Sequence, residues 1–492
     1  MHHDGTGFPR IIIAALRGGS GKTILSVGLI AAWKKSKKSI APFKKGPDYI
    51  DTGWLALAAG RPCYNLDTFL LRPPQIIQSF QIHTLKGDIA VIEGNRGLYD
   101  GIDLAGSTST AELAKLLQTP VLLCLDCTKI TRTMAAVVSG LTRFDPQVMI
   151  KAVVLNRVAG SRHERILREN IQHYCGIPVL GAIPKLATQI FPERHMGLVP
   201  TPEHDWAGKS IADAARIAAE HLDLDAIYEL TRELPQLQEI ASSQQPAAGS
   251  HKSTLASQNL NIRHGSSRPR IGIIKDSAFQ FYYPENLDAL SVAGAETVFI
   301  SPLSRKSLPE LDALYIGGGF PETHARRLAA NKSFRNRIKA LAEDGLPIYA
   351  ECGGLMYLGE ELVLEKKSYP MAGVLPVVFD FYSRPQGHGY TVVTVVKENP
   401  FYEVGTKIRG HEFHYSRVLK WSGDENDLVF RMQRGVGITR DKDGICYKNV
   451  LATYTHIHAL GTPQWAQALV RNARAYHRKK TRKKKTHKNK TR

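Results

Sequence analysis

An apolar run near the start of the chain, IIIAAL (11–16), passes through a glycine-rich turn directly into a helix-like segment. Similar short runs follow at DIAVIEG (88–94), PVLLCLD (120–126) and KAVVLN (151–156). Short β-rich runs separated by amphipathic stretches are typical of a parallel sheet that helices cover on both faces. The first half is therefore predicted to be an α/β domain with a doubly wound parallel sheet.

A change of composition divides the chain of 492 residues. Residues 236–268 are rich in Ser, Gln, Ala and Pro and have little apolar periodicity, which is typical of a linker. A second α/β pattern begins at RIGIIKD (270–276) and continues in LDALYIGGG (311–319) and LPIYAECGG (346–354). Since 492 residues are also more than one hydrophobic core usually holds, we predict two domains, which span residues 8–235 and 269–470.

The positive charge of the chain is unevenly distributed. The formal net charge is +20, and residues 478–492 contain ten Lys or Arg and no acid. Such a block repels itself and cannot form a core, so we predict that residues 471–492 form a basic, disordered tail. This tail would be a solubilising or weakly anion-binding appendage, or would dock a specific partner.

The remaining composition is that of a globular protein, with 43% hydrophobic and 22% charged residues. There is no apolar run long enough to span a membrane, and the polar start lacks the apolar segment of a secretion signal. Six scattered cysteines are too few for a disulfide framework in a chain of this length. We therefore expect a cytoplasmic location and no membrane partner.

A phosphate-binding loop is indicated by RGGSGKT (17–23), which lies between the first strand and the first helix. Glycines let successive backbone N–H groups surround phosphate oxygens, and the helix N-terminus adds partial positive charge. Lys22 would reach the outer phosphates of ATP, and the Thr23 hydroxyl would bind Mg²⁺. Leu16 replaces the usual first glycine, so the loop is a variant. Its candidate nucleotide ligands are Gly19, Ser20, Gly21, Lys22 and Thr23.

Three acids are candidates for the metal site. Asp48 and Asp51 lie in FKKGPDYID (43–51), and Glu93 ends the predicted strand DIAVIEG. Doubly wound sheets bind their ligands at the carboxyl ends of the strands. We therefore predict that Asp48, Asp51 and Glu93 hold Mg²⁺ together with Thr23.

Other strand ends carry less specific signals. Asn156 would read the adenine through its amide or would form a turn. Cys124 and Cys127 form a lone C-x-x-C pair without a second pair, so burial is favoured over metal binding.

A nucleophilic cysteine is indicated in the second half, where Cys352 lies between a strand and a helix in LPIYAECGGLMYLGEEL (346–362). This is the pattern of a nucleophile elbow, in which a strained turn exposes the side chain and the helix N-terminus lowers the thiol pKa. A thiolate there can attack the carboxamide of glutamine and release ammonia.

Two further features support glutaminase chemistry. Gly318 and Gly319 follow a strand in LYIGGGFPE (314–322) and could supply the N–H groups of an oxyanion hole. His456, in YTHIH (454–458), is the candidate base for the thiol proton.

The chain from Arg10 to about Leu469 resembles the cobyrinate a,c-diamide synthase family, whose members amidate tetrapyrrole acetate side chains, and seven ordered blocks carry this resemblance. The blocks are FKKGPDYID (43–51), RPCYNLD (61–67), EGNRGLYDG (93–101), FPERHMGLVP (191–200), AECGG (350–354), RGHEFHYS (409–416) and YTHIH (454–458).

This resemblance implies a dethiobiotin-synthetase-like ATP domain followed by a class I glutamine amidotransferase domain with a flavodoxin-like α/β fold. It implies a carbon–nitrogen ligase in which ATP phosphorylates a substrate carboxylate and ammonia from glutamine attacks the acyl phosphate. It also assigns the nucleophile to Cys352 and its activating base to His456.

The chain departs from most class I glutaminases two positions beyond the catalytic histidine, where it has His458 in place of Glu. His456 would therefore work in a dyad with Cys352 or be oriented by another group. Candidate contacts to the acceptor are Tyr49, Arg96, Tyr99, His411 and His414.

The acceptor itself is less well defined. Asn95 and Arg96 are polar where cobalamin-pathway enzymes more often have apolar residues, and this feature resembles relatives that amidate sirohaem or nickel-sirohydrochlorin. Arg96 would pair with an extra substrate carboxylate or would be a structural loop arginine.

A function of a different class is a regulatory P-loop ATPase that binds nucleic acid through the basic tail, but it gives no role to Cys352. We favour the amidotransferase, with glutamine and a tetrapyrrole polycarboxylate as partners and without nucleic acid. A homodimer remains open.

Overall fold

The computed structural model describes residues 8–85, 87–186, 191, 193–194, 197–198, 206–232, 234, 268–439 and 441–490. Apart from Arg268, the predicted linker (236–268) lies outside these ranges. Within them, no helix has the length and apolar character needed to cross a membrane.

The first half alternates strands and helices along the chain. Their bounds are β1 (Arg10–Ala15), α1 (Lys22–Lys35), β2 (Ser39–Lys45), α2 (Ile50–Ala59), β3 (Tyr64–Leu66), α3 (Pro73–His83), β4 (Asp88–Glu93), α4 (Thr110–Leu116), β5 (Val121–Asp126), α5 (Thr133–Phe144), β6 (Ile150–Val158), α6 (Ser161–Cys175), β7 (Val179–Pro184), β8 (Glu193–Arg194), β9 (Gly197–Leu198), α7 (Ala207–His221) and α8 (Leu224–Glu229).

Strands β1 to β7 form one sheet in the order β3-β2-β4-β1-β5-β6-β7, and every neighbouring pair is parallel. Alternate side chains of β1 enter two different cores. Ile12 packs in the core that α3 to α6 cover, whereas Ile13 packs in the core under α1, α2, α7 and α8. Burial on both faces explains the continuous apolar runs, and it confirms the doubly wound parallel sheet.

The second half begins at β10 and has more antiparallel pairing than the first. Its elements are β10 (Arg270–Ile274), α9 (Pro284–Val292), β11 (Glu296–Ile300), β12 (Ala313–Ile316), α10 (Ala325–Ala330), α11 (Lys332–Glu343), β13 (Ile348–Glu351), α12 (Gly353–Leu358), β14 (Glu361–Leu364), β15 (Lys367–Pro370), β16 (Val377–Phe381), β17 (Gly387–Val395), β18 (Lys407–His414), β19 (Ser416–Trp421), β20 (Leu428–Arg434), β21 (Lys442–Tyr447), β22 (Val450–Thr453), β23 (His456–Ile457) and α13 (Gln464–Lys490).

The main sheet of this half has ten strands in the order β11-β10-β12-β13-β22-β21-β20-β17-β18-β23. The first five strands are parallel, and the pairs from β22 to β23 are antiparallel. The pairing of β18 with β23 places His411 opposite His456. The second α/β domain predicted from the sequence is confirmed, and its antiparallel extension brings β18 beside the catalytic histidine candidate.

The carboxyl-terminal segment differs from the disordered tail that we predicted for residues 471–492. Helix α13 runs without a break from Gln464 to Lys490, so the boundary at residue 470 falls inside it. The helix is anchored in about its fourth turn, because Tyr476 donates a hydrogen bond to Asp344 at 3.1 Å and His477 lies 3.0 Å from Asp312. Anchoring offsets the cost of helix nucleation, and Lys and Arg are good helix formers.

This anchoring predicts different effects for two truncations. Deleting residues 478–492 keeps both anchors, so the midpoint of thermal unfolding should change by no more than about 2 °C. Deleting residues 471–492 removes both anchors and the buried Ala473, and should lower the midpoint by about 5 °C or more. Equal midpoints for the two truncated proteins would contradict the anchoring role.

Candidate active site

The phosphate-binding loop joins the end of β1 to the first residue of α1. Gly21 has a φ of +95°, and a Cβ at this position would lie 2.2 Å from the amide nitrogen of Asn156, so only glycine fits. The same nitrogen donates a hydrogen bond to the Ser20 carbonyl at 2.8 Å. Asn156, near the end of β6, thus supports the loop backbone, while its contact with adenine stays a prediction.

Two lysines and two carboxylates meet beside this loop. Lys44 Nζ donates hydrogen bonds to Glu93 Oε1 at 2.6 Å and to Asp51 Oδ2 at 2.7 Å. Thr23 Oγ1 donates to the same Glu93 oxygen at 3.1 Å. Lys22 Nζ donates to the Arg96 carbonyl at 2.7 Å. Lys22, Thr23, Lys44, Asp51 and Glu93 therefore form one cluster, called the phosphate-side cluster below. They come from the ends of β2 and β4 and from the first turns of α1 and α2.

Burial and charge pairing shift the pKa values in this cluster. Desolvation alone would lower the pKa of Lys44, but the carboxylates of Asp51 and Glu93 outweigh it and hold this pKa well above its usual value. Burial, followed by the charge of Lys44, lowers the pKa of Lys22. Burial, followed by repulsion from Asp51, raises the pKa of Asp48 to about 7. Lys44 is therefore a permanent cation at the centre of the cluster.

The predicted metal ligands fit Mg²⁺ only in part. The second oxygen of Glu93 is buried without a hydrogen-bond partner, and the Thr23 hydroxyl contacts the first oxygen, so Glu93 and Thr23 offer hard oxygen donors. In contrast, Asp48 Oδ1 accepts hydrogen bonds from the backbone N–H groups of Ile50 and Asp51, both at 2.9 Å. It therefore also stabilises the first turn of α2.

Across the described ranges, no three His, Cys, Asp or Glu side chains are grouped as a ready-made metal site. Mg²⁺ commonly uses one or two carboxylates together with phosphate oxygens and water, so a nucleotide would have to complete its shell. Cys124 and Cys127 are both completely buried, as expected.

Cys352 occupies the turn between β13 and α12. Its φ of +47° is uncommon for a residue with a side chain and is typical of a strained nucleophile elbow. The Cys352 N–H donates to the Thr453 carbonyl at 2.7 Å, which ties the elbow to the end of β22. The predicted strand, turn and helix are therefore present at the predicted residue.

Gly318 and Gly319 lie between the elbow and His456. A Cβ on Gly353, the first residue of α12, would lie 3.0 Å from the Gly319 nitrogen, and a Cβ on Gly318 would lie 3.2 Å from His456 Nε2. The glycine loop thus contacts the helix next to Cys352 on one side and the imidazole on the other. This close approach places the predicted oxyanion loop and base beside the residue that follows Cys352.

The thiol pKa does not follow the expectation from the elbow pattern. Burial raises the pKa of Cys352 well above its usual value, and the nearby Glu322 carboxylate adds to the increase. Helix α12 has only six residues, so its dipole is too weak to reverse these effects. The thiol therefore depends on a proton acceptor to become nucleophilic.

His458 does not orient His456 as the glutamate at this position does in most class I glutaminases. Its ring is completely buried, and its Nε2 lies 3.4 Å from Glu285 Oε1. The carboxylate nearest to His456 Nδ1 is instead Glu351, the residue before the nucleophile, at 3.6 Å. Our sequence reasoning missed Glu351. The available signal was an acid at the end of an otherwise apolar strand.

A cavity of about 410 Å³ lies between the two halves. Both halves contribute charged side chains to its lining: the cations are Lys45, Arg96 and Arg434, and the acids are Asp48, Asp100 and Glu412. His388 and His411 also line it, and burial lowers the pKa of both imidazoles. The three cations offer separate contacts for an anionic ligand, beside acids equal in number. Lys45, His388 and Arg434 were not predicted, because nothing in the sequence places distant strands at one cleft.

The predicted acceptor contacts divide between the cavity and its surroundings. Arg96 and His411 line the cavity. Tyr49 is stacked on Phe281 with 5.1 Å between the ring centroids. Two others point elsewhere: Tyr99 donates to the Leu141 carbonyl at 2.7 Å, and the His414 ring stacks on Tyr454. Neither Tyr99 nor His414 is among the lining residues.

Strand β18 forms the wall between the elbow and the cavity. Cys352 Sγ lies 3.9 Å from the Phe413 carbonyl oxygen, and the His411 ring stacks on His456 with 4.9 Å between centroids. Phe413 and His411 both line the cavity. A single strand therefore separates the thiol from the cleft between the halves.

Comparisons with known proteins agree with this division. Residues 11–198 match the CobQ/CobB/MinD/ParA nucleotide-binding domain, and residues 270–464 match the CobB/CobQ-like glutamine amidotransferase domain. The cobyrinate a,c-diamide synthase of Magnetococcus marinus is 43% identical, over 94% of this chain and 97% of that protein. The synthase of Archaeoglobus fulgidus is 39% identical over the same shares.

Among solved structures, PurLQS from Thermotoga maritima matches with 19% identity and a TM-score of 0.32, over 43% of this chain and 99% of that chain.

The Lys44 cluster predicts a large effect on stability. Lys44→Met leaves the Asp51 and Glu93 carboxylates buried without their cation, so the free energy of unfolding in urea at pH 7 should fall by about 3 kcal/mol. Without the cation, burial raises the folded-state pKa of Asp51 above its unfolded value and raises further that of Glu93, which is already elevated. The destabilisation should therefore be smallest below about pH 4 and should grow as the pH rises.

The double variant Lys44→Met/Glu93→Gln serves as the control, because it removes a cation and an anion together. It should be more stable than Lys44→Met alone. A single variant as stable as the wild type at pH 7 would contradict this account of Lys44.

Proposed function

The chain belongs to the cobyrinate a,c-diamide synthase family, and from this premise we propose that it amidates the a and c acetate carboxylates of cobyrinate. Glutamine is the nitrogen donor and ATP activates each carboxylate. The observation that carries this proposal is the position of β18, which separates the Cys352 thiol from the cavity by one strand. Ammonia released at the elbow thus needs only a short path to an acceptor in the cavity.

The glutaminase step uses Cys352, His456 and the glycine loop. The thiol proton passes to His456 Nε2 as the sulfur attacks the carboxamide carbon of glutamine. Backbone N–H groups of Gly318 and Gly319 stabilise the oxyanion. The carbon–nitrogen bond then breaks, and His456 returns the proton to the leaving ammonia. Water hydrolyses the thioester to glutamate and regenerates the thiol.

The synthetase step belongs to the phosphate-side cluster. An oxygen of the acceptor carboxylate attacks the γ-phosphorus of ATP, ADP leaves, and ammonia displaces phosphate from the acyl phosphate to give the amide. Lys22 and Lys44 would stabilise negative charge on the phosphates. Thr23 and Glu93 would hold Mg²⁺, which supplies further charge neutralisation when bound.

Cations from both halves in the cavity lining offer contacts to a polycarboxylate. Arg96 and Arg434 approach from opposite halves, and guanidinium groups bind carboxylates with two parallel hydrogen bonds. Lys45 lies deeper, where burial lowers its pKa and Asp67 partly opposes the shift. We propose that these cations hold the acceptor carboxylates that do not react.

The alternatives have less support. Sirohaem and nickel-sirohydrochlorin would use the same chemistry, but the relatives named above are cobyrinate a,c-diamide synthases. A regulatory ATPase would need only the first half, whereas the match to a glutamine amidotransferase domain covers residues 270–464.

The choice of acceptor can be tested directly by mass spectrometry of products. Cobyrinate, sirohaem and nickel-sirohydrochlorin are each incubated with the protein, ATP, Mg²⁺ and glutamine. Each amidation replaces a hydroxyl group by an amino group, so cobyrinate should show two successive mass decreases. Amidation of sirohaem or nickel-sirohydrochlorin but not of cobyrinate would overturn the assignment.

If Cys352 is the nucleophile, its substitution should affect glutamine hydrolysis and leave ATP-dependent amidation with free ammonia unchanged. Cys352→Ser should lower the rate of glutamine hydrolysis by at least about 10³-fold, because the hydroxyl is a poorer nucleophile. Amidation with ammonium chloride in place of glutamine should continue at the wild-type rate. Glutamine hydrolysis that survives unchanged would remove Cys352 from the mechanism.

The cavity cations predict an effect on acceptor binding. Arg434→Gln should raise the KM for cobyrinate by about tenfold, the value of one charge-assisted hydrogen bond, without changing glutamine hydrolysis. Arg431→Gln is the matched control, because Arg431 is exposed on the same strand but does not line the cavity. Equal effects of the two changes would contradict the role of Arg434.

A further inference from the structure

We propose that Glu351 is the positioning residue that orients His456, in place of the glutamate that class I glutaminases usually carry two positions beyond the histidine. The inference rests on the proposed glutaminase function and adds the missing third group. Its basis is the geometry around the imidazole: Nδ1 faces Glu351 Oε2 at 3.6 Å, and Nε2 faces the Gly318 loop.

The His456 nitrogen on this side has no other partner. Nδ1 is buried and makes no hydrogen bond within the described part of the chain, and the histidine side chain is only 2% exposed. A buried ring nitrogen without a partner costs free energy. A shift of about 0.5 Å would bring it within hydrogen-bond distance of Glu351, and catalytic hydrogen bonds often shorten only when the substrate is bound.

Glu351 is itself held rigidly. Oε1 accepts a hydrogen bond from the Ile457 N–H at 3.1 Å, and Oε2 accepts one from the Tyr315 hydroxyl at 3.0 Å. Asn286 braces the same region, since its Nδ2 donates to the Tyr315 hydroxyl at 3.2 Å and to the Ile457 carbonyl at 3.0 Å. These contacts fix the carboxylate relative to β23, the strand that carries His456.

Other buried acids of the second half are committed elsewhere. Glu412 accepts hydrogen bonds from the backbone N–H groups of Val436 and Gly437. Asp443 accepts from Thr453 Oγ1 and from the backbone N–H groups after β22. Glu285 lies beside His458. Glu351 is the carboxylate that combines complete burial with proximity to His456 Nδ1.

The role follows from the two ring nitrogens. A carboxylate beside Nδ1 keeps the proton on this nitrogen, so Nε2 is free to accept the Cys352 proton. Once both nitrogens are protonated, the negative charge of Glu351 stabilises the imidazolium without taking a proton from it. The covalent link between Glu351 and Cys352 also fixes the orienting group relative to the nucleophile.

Glu351→Gln tests this role, because it preserves size and can still accept hydrogen bonds but removes the charge. The kcat for glutamine hydrolysis should fall by about 10³-fold or more, by analogy with loss of the acid in other triads. The KM for glutamine and the rate of ammonia-dependent amidation should stay within about threefold of wild type. Glu351→Asp, which keeps the charge, should recover part of the lost kcat.

Tyr315→Phe is the matched control, since it removes the other donor to Oε2 and should leave kcat within about tenfold of wild type. A Glu351→Gln protein with kcat within tenfold of wild type would overturn the proposal. Loss of ammonia-dependent amidation along with glutamine hydrolysis would also overturn it, because the residue would then be structural. A wild-type protein without glutaminase activity would overturn the proposed function and this inference together.

Discussion

The two halves meet through the loop that carries the phosphate-side carboxylates, and the coupling of their sites depends on this contact. Tyr49 lies between Asp48 and the start of α2, yet its ring stacks on Phe281 and lies within 5.5 Å of the His456 ring. A residue of the nucleotide-binding half is thereby part of the surroundings of the glutaminase base. A rearrangement of this loop would change the geometry of both sites.

Polar contacts reinforce the same junction. Glu285 Oε1 accepts a hydrogen bond from the Asn65 N–H at 3.2 Å, and Asn65 Nδ2 donates to the Gly46 and Asp48 carbonyls. Tyr390 donates to Asp67 at 2.6 Å beside the cavity. Buried hydrogen bonds of this kind fix orientation more than they add net stability. The cleft therefore has a defined shape in which cations from both halves face one space.

Local patterns were enough to predict the parts of this protein that are continuous in sequence. The runs of apolar residues predicted the parallel strands of the first half because both faces of its sheet are buried. RGGSGKT, Cys352 with its following helix, and the glycines at Gly318 each depend on a turn of a few residues, which the chain specifies locally. The prediction of a disordered basic segment is wrong because the contacts of Tyr476 with Asp344 and of His477 with Asp312 anchor the helix despite its charge repulsion.

Only the tertiary structure determines which residues far apart in the sequence contact one another. Lys44 forms ion pairs with acids seven and 49 residues away, and Arg96 and Arg434 share a cavity. Glu351 is not predicted because it lies 105 residues before His456 in the chain. The pairing of β13 with β22 places it opposite Thr453, three residues before His456. Sequence order thus specified which reactive groups exist and on which turns they lie. Strand pairing specified their partners, because distances between strands depend on the sheet order and not on separation along the chain.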